Sequence, residues 1–198
     1  MVFTYINKNS DQYYRVLKSG KHIFFLHNYS GKLTINIQSS NAEVYIFGLY
    51  IGTSKDQFKL NTIQHHMIGN SISDLLIKGV FFDSSKFMYQ GLIRIDKNAQ
   101  KTNAYQKNQN LILSDKVFVD SRPFLEILAN DVRCTHGSTT GKINKEQSFY
   151  IQSRGISEED SRRLIIEGFI EEVFQRVVQL GGSEQINIIR TQVLQLIH

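Results

Sequence analysis

The sequence predicts a mainly β core followed by a C-terminal α-helical domain. Seven short segments rich in Ile, Leu, Val, Tyr and Phe are bounded by Asn, Asp, Ser and Gly, the pattern of strands separated by turns. Apolar positions along five of them recur every 15 to 19 residues. After Gly155 the apolar spacing changes to that of amphipathic helices. We therefore expect a β core over residues 1–155 and a helical domain over residues 156–198.

The predicted strands fill most of residues 21–155. They are Lys32–Gln38, Glu43–Ile51, Phe58–Ile63, Asp74–Val80, Gly91–Asp96, Asn110–Asp115 and Leu125–Asn130. Their regular recurrence is typical of a solenoid, whose coils stack on one continuous core, and equally of a meandering sandwich. For a solenoid, we expect Gly91–Asp96, Asn110–Asp115 and Leu125–Asn130 to stack as successive coils. Spacing alone leaves the choice between these two architectures open.

Two helices are predicted after the core. Ser157 followed by three acidic residues is a capping-box-like start, because acidic groups favour the positive end of the helix dipole. A Gly-Gly pair ends this first helix near Val178. The second helix is predicted to run from Ser183 to His198. Its apolar face would consist of Ile186, Ile189, Val193, Leu196 and Ile197.

The first of these helices has more apolar surface than a single contact needs, since a surface helix requires a stripe of only about 100°. Gly168 costs about 1 kcal/mol relative to Ala inside a helix, which indicates a close neighbour at that position. The β core and the last helix could together cover the apolar arc. Alternatively, part of it is a docking face for a partner. The candidate partner-binding residues are Ile165, Phe169, Ile170, Val173 and Phe174.

Composition and charge narrow the class of protein. The 198 residues are 41% hydrophobic and 21% charged, which is ordinary for a globular chain. No apolar run approaches the roughly 18 residues of a membrane span, so no membrane association is expected. The net charge is +5, but the cations are scattered without an aromatic-interleaved basic stripe, so no nucleic-acid binding is expected. One cysteine and no signal-peptide pattern at the N-terminus fit a cytoplasmic protein.

Cys134 lies two residues before His136, ahead of a turn rich in small residues. Alternate side chains of an extended segment share a face, so the two point the same way. A thiolate beside an imidazole is a ligand pair suited to iron, zinc or copper. Two ligands do not complete a four-coordinate site, so a metal here would take further ligands from elsewhere in the fold or from another chain. The simpler interpretation is a buried small residue beside a polar one.

Independent catalysis has little support in the sequence. The carboxylates are dispersed, and neither a phosphate-binding loop nor a hydrolase nucleophile motif is present. Cys134 and His136 could act as a thiol nucleophile and its base, but no third residue follows that would orient the histidine. His65 and His66 point to opposite faces of a strand, so they cannot both bind one ion.

Several segments resemble one known family. Residues 131–143 (DVRCTHGSTTGKI) and 146–173 (EQSFYIQSRGISEEDSRRLIIEGFIEEV) are similar to the C-terminal half of the SufD branch of the SufB/SufD family of iron–sulfur cluster assembly scaffolds. The likeness extends back through Ser73–Asp115 to about Thr62, so one collinear block covers more than half of the chain. Residues 1–60 match only loosely, and the N-terminal helical region of typical members is not recognised.

The Cys-x-His-Gly sequence places the resemblance within the family. SufB proteins typically carry Glu-His-Glu at this turn, whereas Cys134, His136 and Gly137 match the SufD version. Two departures from it, Ser138 and Thr140, involve no candidate ligand.

The resemblance implies a right-handed parallel β-helix with a C-terminal helical domain, acting as a scaffold and not as an enzyme. The implied partners are a SufB-like subunit and a SufC-like ATPase, with a homodimer also possible. The implied cargo is a transient iron–sulfur cluster or iron at a subunit interface, where Cys134 and His136 supply half of the ligands. The alternatives are a stand-alone β-helix enzyme that uses Cys134 and a metal-free structural paralogue.

Overall fold

The computed structural model describes residues 1–195, in which a β core precedes three helices. The strands are β1 (Val2–Ile6), β2 (Gln12–Val16), β3 (Gly20–His27), β4 (Gly31–Ile37), β5 (Ala42–Gly52), β6 (Gln57–His66), β7 (Ile72–Phe81), β8 (Lys86–Ile95), β9 (Thr102–Ile112), β10 (Phe118–Ile127) and β11 (Val132–Gly141). The helices are α1 (Lys145–Gln152), α2 (Glu158–Gln179) and α3 (Ser183–Gln195). None of the helices in this part of the chain combines the length and apolarity needed to cross a membrane.

Consecutive strands alternate between two parallel sheets. The odd sheet has the order β1-β3-β5-β7-β9-β11, and the even sheet has the order β10-β8-β6-β4-β2. Every strand pairing is parallel, so each coil of the chain contributes one strand to each sheet. This is a parallel β-helix followed by helices, which confirms the predicted fold class. A meandering sandwich would require antiparallel neighbours, so that alternative is excluded.

The predicted stacking of three successive segments was wrong for the middle one. Leu125 and Ile127 of β10 lie directly beside Ile93 and Ile95 of β8 in the even sheet. Residues 110–112 belong to β9 and therefore to the opposite sheet. The spacing of 15 to 19 residues seen in the sequence is half a coil, because a full coil includes a strand in each sheet.

One corner of the β-helix shows the length of a full coil. Asn41, Asn70 and Lys101 have positive φ values of 56°, 54° and 58° at equivalent turns of successive coils. The amide of Asn41 donates to the carbonyl of Asn70 at 2.7 Å, and the amide of Lys101 donates to the carbonyl of Asp131 at 2.6 Å. Asparagine tolerates the left-handed conformation better than most residues do. The turn residues thus set a repeat of 29 to 31 residues.

Helix α2 begins and ends where the sequence predicts. The Ser157 hydroxyl accepts a hydrogen bond from the amide of Asp160 at 3.0 Å, and Gly181 with φ of 98° follows the C-terminal end. The apolar face of α2 packs on the outer face of the odd sheet, where the Phe174 ring stacks on Phe25 with centroids 6.4 Å apart. Buried Lys78 of β7 extends to α2, where its Nζ donates to the carbonyl of Phe169 at 2.7 Å.

Helix α3 completes this layer by burying three residues of its predicted apolar face, Ile186, Ile189 and Val193, in the same cluster. The other two residues predicted for that face, Leu196 and Ile197, lie outside the described residues.

Helix α1 was not predicted. Residues 145–152 were assigned to the β core, but they form a helix before the expected boundary. The side chain of Asn144 caps it by accepting hydrogen bonds from the amides of Glu146 at 2.8 Å and Gln147 at 3.1 Å. None of its residues is buried.

The interior of the β-helix contains a buried histidine between two isoleucines. Ile37 lies beside His66 in the even sheet, and His66 lies beside Ile95. His66 is fully buried, and its ring nitrogens make hydrogen bonds of 2.8 Å with the hydroxyls of Ser71 and Ser73. Burial and the neighbouring His65 together lower the pKa of His66 to about 4. His66 is therefore neutral in the folded protein at neutral pH.

Acidification should destabilise the fold through His66. Its pKa is about 4 in the folded state and about 6.5 when unfolded, so below about pH 6.5 only the unfolded chain gains the proton. The free energy of unfolding should fall by about 3 kcal/mol as the pH drops from 6.5 to 4. Urea denaturation at several pH values should show this slope in the wild type and in the control His22→Gln, at a partly exposed histidine of β3, but much less of it in His66→Gln. Equal slopes in all three proteins would contradict the assignment.

Candidate functional site at the open end of the β-helix

Strands β10 and β11 form the last coil, and each lies at the edge of its sheet. Within residues 1–195, no further strand covers their outer edges, so these edges present backbone donors and acceptors for another chain. Leu125 and Ile127 face the interior, in register with fully buried Ile93 and Ile95, yet 38% and 39% of their surfaces are exposed. The β-helix is therefore open at this end.

The segment from Gly137 to Gly141, predicted as a turn, is part of strand β11. It pairs residue by residue with β9, from Gly137 beside Lys107 to Gly141 beside Leu111. Small residues such as these favour turns when considered alone, but here pairing with strand β9 holds them in an extended conformation.

Cys134 and His136 share one face of β11, as predicted. They lie beside Ala104 and Gln106 of β9, which are both buried in the interior, so both point towards the axis of the β-helix. Cys134 is half-buried in a small cluster with Ala104 and Ala129. His136 is exposed because no coil follows above it in the described part of the chain. The pair lies at the open mouth of the solenoid.

Burial raises the pKa of the Cys134 thiol to about 11, so the free thiol is protonated at neutral pH. The thiolate is the nucleophile and the metal ligand, so Cys134 is a weak nucleophile as it stands. Within residues 1–195 no hydrogen bond joins Cys134 to His136. These observations do not favour thiol catalysis, and they make the exposed imidazole of His136 the more accessible ligand.

The pair does not form a complete metal site alone. Among the described residues, no group of three or more His, Cys, Asp or Glu side chains is placed to hold a metal ion. Zinc and iron–sulfur clusters in proteins usually take four ligands. His65 and His66 are on opposite faces of β6, as predicted: His65 points outward to Asp96 at 3.0 Å, and His66 points inward. Neither completes a metal site with Cys134 and His136 in the described residues.

The five residues predicted to bind a partner fall into two groups. Ile170, Val173 and Phe174 are at most 1% exposed, because they pack between the odd sheet and α3. They are unavailable to a partner, and the alternative of intramolecular cover accounts for them. Ile165 and Phe169 are only half-buried and line a groove between α1 and α2.

Gly168 opens this groove. Contrary to expectation, a Cβ atom added there would meet nothing within 4 Å. The groove has a volume of about 540 Å³, and its apolar lining includes Ile151, Leu164 and Phe169. The groove is not evident from the sequence, because one of its walls is α1, a helix that the sequence does not predict.

Comparison with known proteins identifies the family of this chain. Residues 26–169 match the family described as SUF system FeS cluster assembly, SufBD core domain. The match covers well over half of the chain, so this protein belongs to the SufBD family of the SUF iron–sulfur cluster assembly system. Within that family its sequence is SufD-like, which confirms the resemblance noted above.

Three relatives illustrate the similarity. The chain is 33% identical to the iron–sulfur cluster assembly protein SufD of Escherichia coli (strain K12) over 160 residues, which are 81% of this chain and 37% of that protein. It is 35% identical to SufD of Bacillus subtilis (strain 168) over 112 residues, 57% of this chain and 26% of that protein. It is 30% identical to a SufBD family protein of Mycobacterium leprae (strain TN) over 156 residues, 74% of this chain and 40% of that protein. The chain thus spans well under half the length of these curated relatives.

Proposed function

We propose that this chain is a cytoplasmic, non-enzymatic scaffold subunit for iron–sulfur cluster assembly that pairs with a SufB-like subunit and binds a SufC-like ATPase. The observation that carries the proposal is the open last coil, which presents Cys134 and His136 beside uncovered strand edges. A cluster or iron ion is the cargo of this site. The similarity to SufD proteins supports the same assignment.

The open coil explains why a partner is needed. Strands of a partner subunit that pair with β10 and β11 would extend both sheets and cover exposed Leu125 and Ile127. The same docking would bring the partner's ligands to the mouth where His136 lies. Metal binding displaces the thiol proton of Cys134, so Cys134 can become a second ligand once the site is assembled.

The assembly is tested by mixing the purified chain with a SufB-like subunit and a SufC-like ATPase. We expect one complex that contains all three on size-exclusion chromatography with light scattering. A second copy of this chain offers the same strand edges, so a homodimer is the competing species. A chain that remains monomeric or homodimeric with both partners present would contradict the proposal.

The groove between α1 and α2 is the proposed contact for the ATPase. Its exposed lining residue Leu164 and half-buried Ile165 and Phe169 remain available after α2 has packed on the core. Apolar side chains around an open glycine can accept a side chain from a partner. Of the docking face predicted from the sequence, only Ile165 and Phe169 therefore remain in the proposed contact.

Two substitutions at Gly168 separate stability from docking. Gly168→Ala should raise the free energy of unfolding by about 0.5–1 kcal/mol, because the helix gains propensity and the added methyl group meets no neighbour. Gly168→Phe should fill the groove and weaken ATPase binding about tenfold or more while the fold is retained. Calorimetric titration with the ATPase measures binding, and circular dichroism checks folding. Wild-type affinity in folded Gly168→Phe would exclude the groove as the contact.

A further inference from the structure

The outer face of the even sheet is uncovered in the described part of the chain, because the helices pack on the odd sheet. Its strands place equivalent side chains in rows across the face. One row is apolar at Ile63, Leu92 and Phe124. The adjacent row contains amides and cations, namely Lys32, Asn61, Gln90 and Arg122.

Three lysines form a diagonal across this face. Lys32 of β4 lies beside Asn61, two residues beyond Lys59 of β6, and Lys59 lies beside Met88, two residues beyond Lys86 of β8. Each step moves one strand across and two residues along, which places successive Cα atoms about 8 Å apart. All three side chains are exposed, and none forms an ion pair within residues 1–195.

The other charges on this face are largely neutralised. Arg122 pairs with Asp120 at 2.7 Å, and Arg94 contacts Asp96 at 3.4 Å and Glu126 at 3.8 Å. Arg15 on β2, which lies over the Tyr13 ring, is the one further cation of this face without an ion pair in the described residues. The lysine diagonal is therefore the main unpaired positive feature in the middle of the even sheet.

Two shallow depressions lie along the diagonal and share Asn61 and Gln90. One has a volume of about 250 Å³ and is lined by Lys32, Ile63 and Leu92. The other, of about 180 Å³, includes Lys59 and Met88. The amide side chains of Asn61 and Gln90 make no hydrogen bond within residues 1–195, so their donors and acceptors are free between the depressions.

We propose that this face binds an acidic, extended peptide segment of another protein. Alternate carboxylates of an extended peptide are about 7 Å apart, close to the spacing of the lysines. The amides of Asn61 and Gln90 can pair with peptide N–H and C=O groups, since each side chain both donates and accepts. The apolar walls at Ile63, Leu92 and Met88 accept the intervening side chains.

A single-stranded nucleic acid fits less well. It requires aromatic side chains between the cations on which its bases can stack. The exposed aromatic residues of this face are Tyr13 on β2 and Phe118 and Phe124 on β10. Phe118 lies beside Lys86, but all three are on the two edge strands of the sheet and not between the lysines.

The test uses a fluorescein-labelled peptide of alternating Glu and Leu, the same peptide with Gln in place of Glu, and labelled oligo-dT, each titrated into the whole chain by anisotropy. The acidic peptide should bind, and the combined variant Lys32→Glu, Lys59→Glu, Lys86→Glu should weaken it about tenfold or more. The control combines Lys8→Glu, Lys18→Glu and Lys97→Glu, which are exposed residues away from this face and change the net charge equally. The control should bind with an affinity close to that of the wild type.

Three outcomes would overturn the proposal: equal loss of binding in both triple variants, no preference for the Glu peptide over the Gln peptide, or tighter binding of oligo-dT with the same dependence on the three lysines. Circular dichroism confirms folding. If the charge-reversal variant does not fold, the neutral variant Lys32→Gln, Lys59→Gln, Lys86→Gln provides the same comparison with a smaller loss.

Discussion

His136→Ala is expected to abolish cluster formation in a complex reconstituted with a SufB-like subunit and a SufC-like ATPase. The imidazole is exposed at the mouth of the β-helix, whereas the Cys134 thiol is half-buried and burial raises its pKa to about 11. Losing the accessible ligand leaves too few donors to hold iron, and removal of a ligand typically costs far more than removal of a supporting contact. Cluster absorbance after anaerobic reconstitution measures the effect.

The matched control is Thr135→Ala. Thr135 lies on the same strand but on its opposite face, beside Tyr105, so its loss perturbs β11 without affecting the mouth. Both variants should fold and enter the complex, because both side chains are exposed. Clusters formed at the wild-type rate by His136→Ala would refute the assignment of His136. Loss of the complex itself would instead show that His136 acts in subunit pairing.

Phe174→Ala is expected to lower the free energy of unfolding by about 3–5 kcal/mol. The side chain is 1% exposed and stacks on Phe25 of β3, so its removal leaves a cavity between α2 and the odd sheet. Phe149→Ala on α1 is the control, since that ring is 73% exposed and its loss should change stability by less than about 0.5 kcal/mol. Denaturant titration, monitored by circular dichroism, measures the free energy of unfolding of both variants.

Equal denaturation midpoints for the two variants would mean that α2 does not pack on the odd sheet in solution. The large loss of stability expected at Phe174 also limits how docking can be tested. A charge at Phe174 would report the loss of the fold and not the loss of ATPase binding, so docking must be tested at the groove around Gly168.

The sequence was sufficient to predict elements whose residues carry their own signal. Strands β4 to β8 are dense in β-branched and aromatic residues between turn formers, and α2 has Ser157 at its start and a Gly-Gly pair at its end. The shared face of Cys134 and His136 followed from strand geometry alone. In each case the determining interaction is local, so a single sequence contains it.

Features set by contacts distant in sequence could not be predicted. Residues 137–141 are small and turn-like, and only pairing with β9 makes them a strand. The recurrence of apolar positions could not distinguish half a coil from a full coil, because both sheets use the same residue types. The cover over Ile170 and Val173 depends on where the odd sheet and α3 lie, which the helix sequence does not contain.

The open last coil should be locally less stable than the coils inside the stack. In a stack where each coil contacts only its neighbours, local stability is close to a sum of nearest-neighbour terms. The coil of β10 and β11 has one such neighbour in the described chain, whereas the coil of β6 and β7 has two. Local opening of the terminal coil therefore costs less free energy than global unfolding. A subunit that stacks on this coil supplies the missing term, so the rigidity of Cys134 and His136 and the affinity for that subunit are thermodynamically linked.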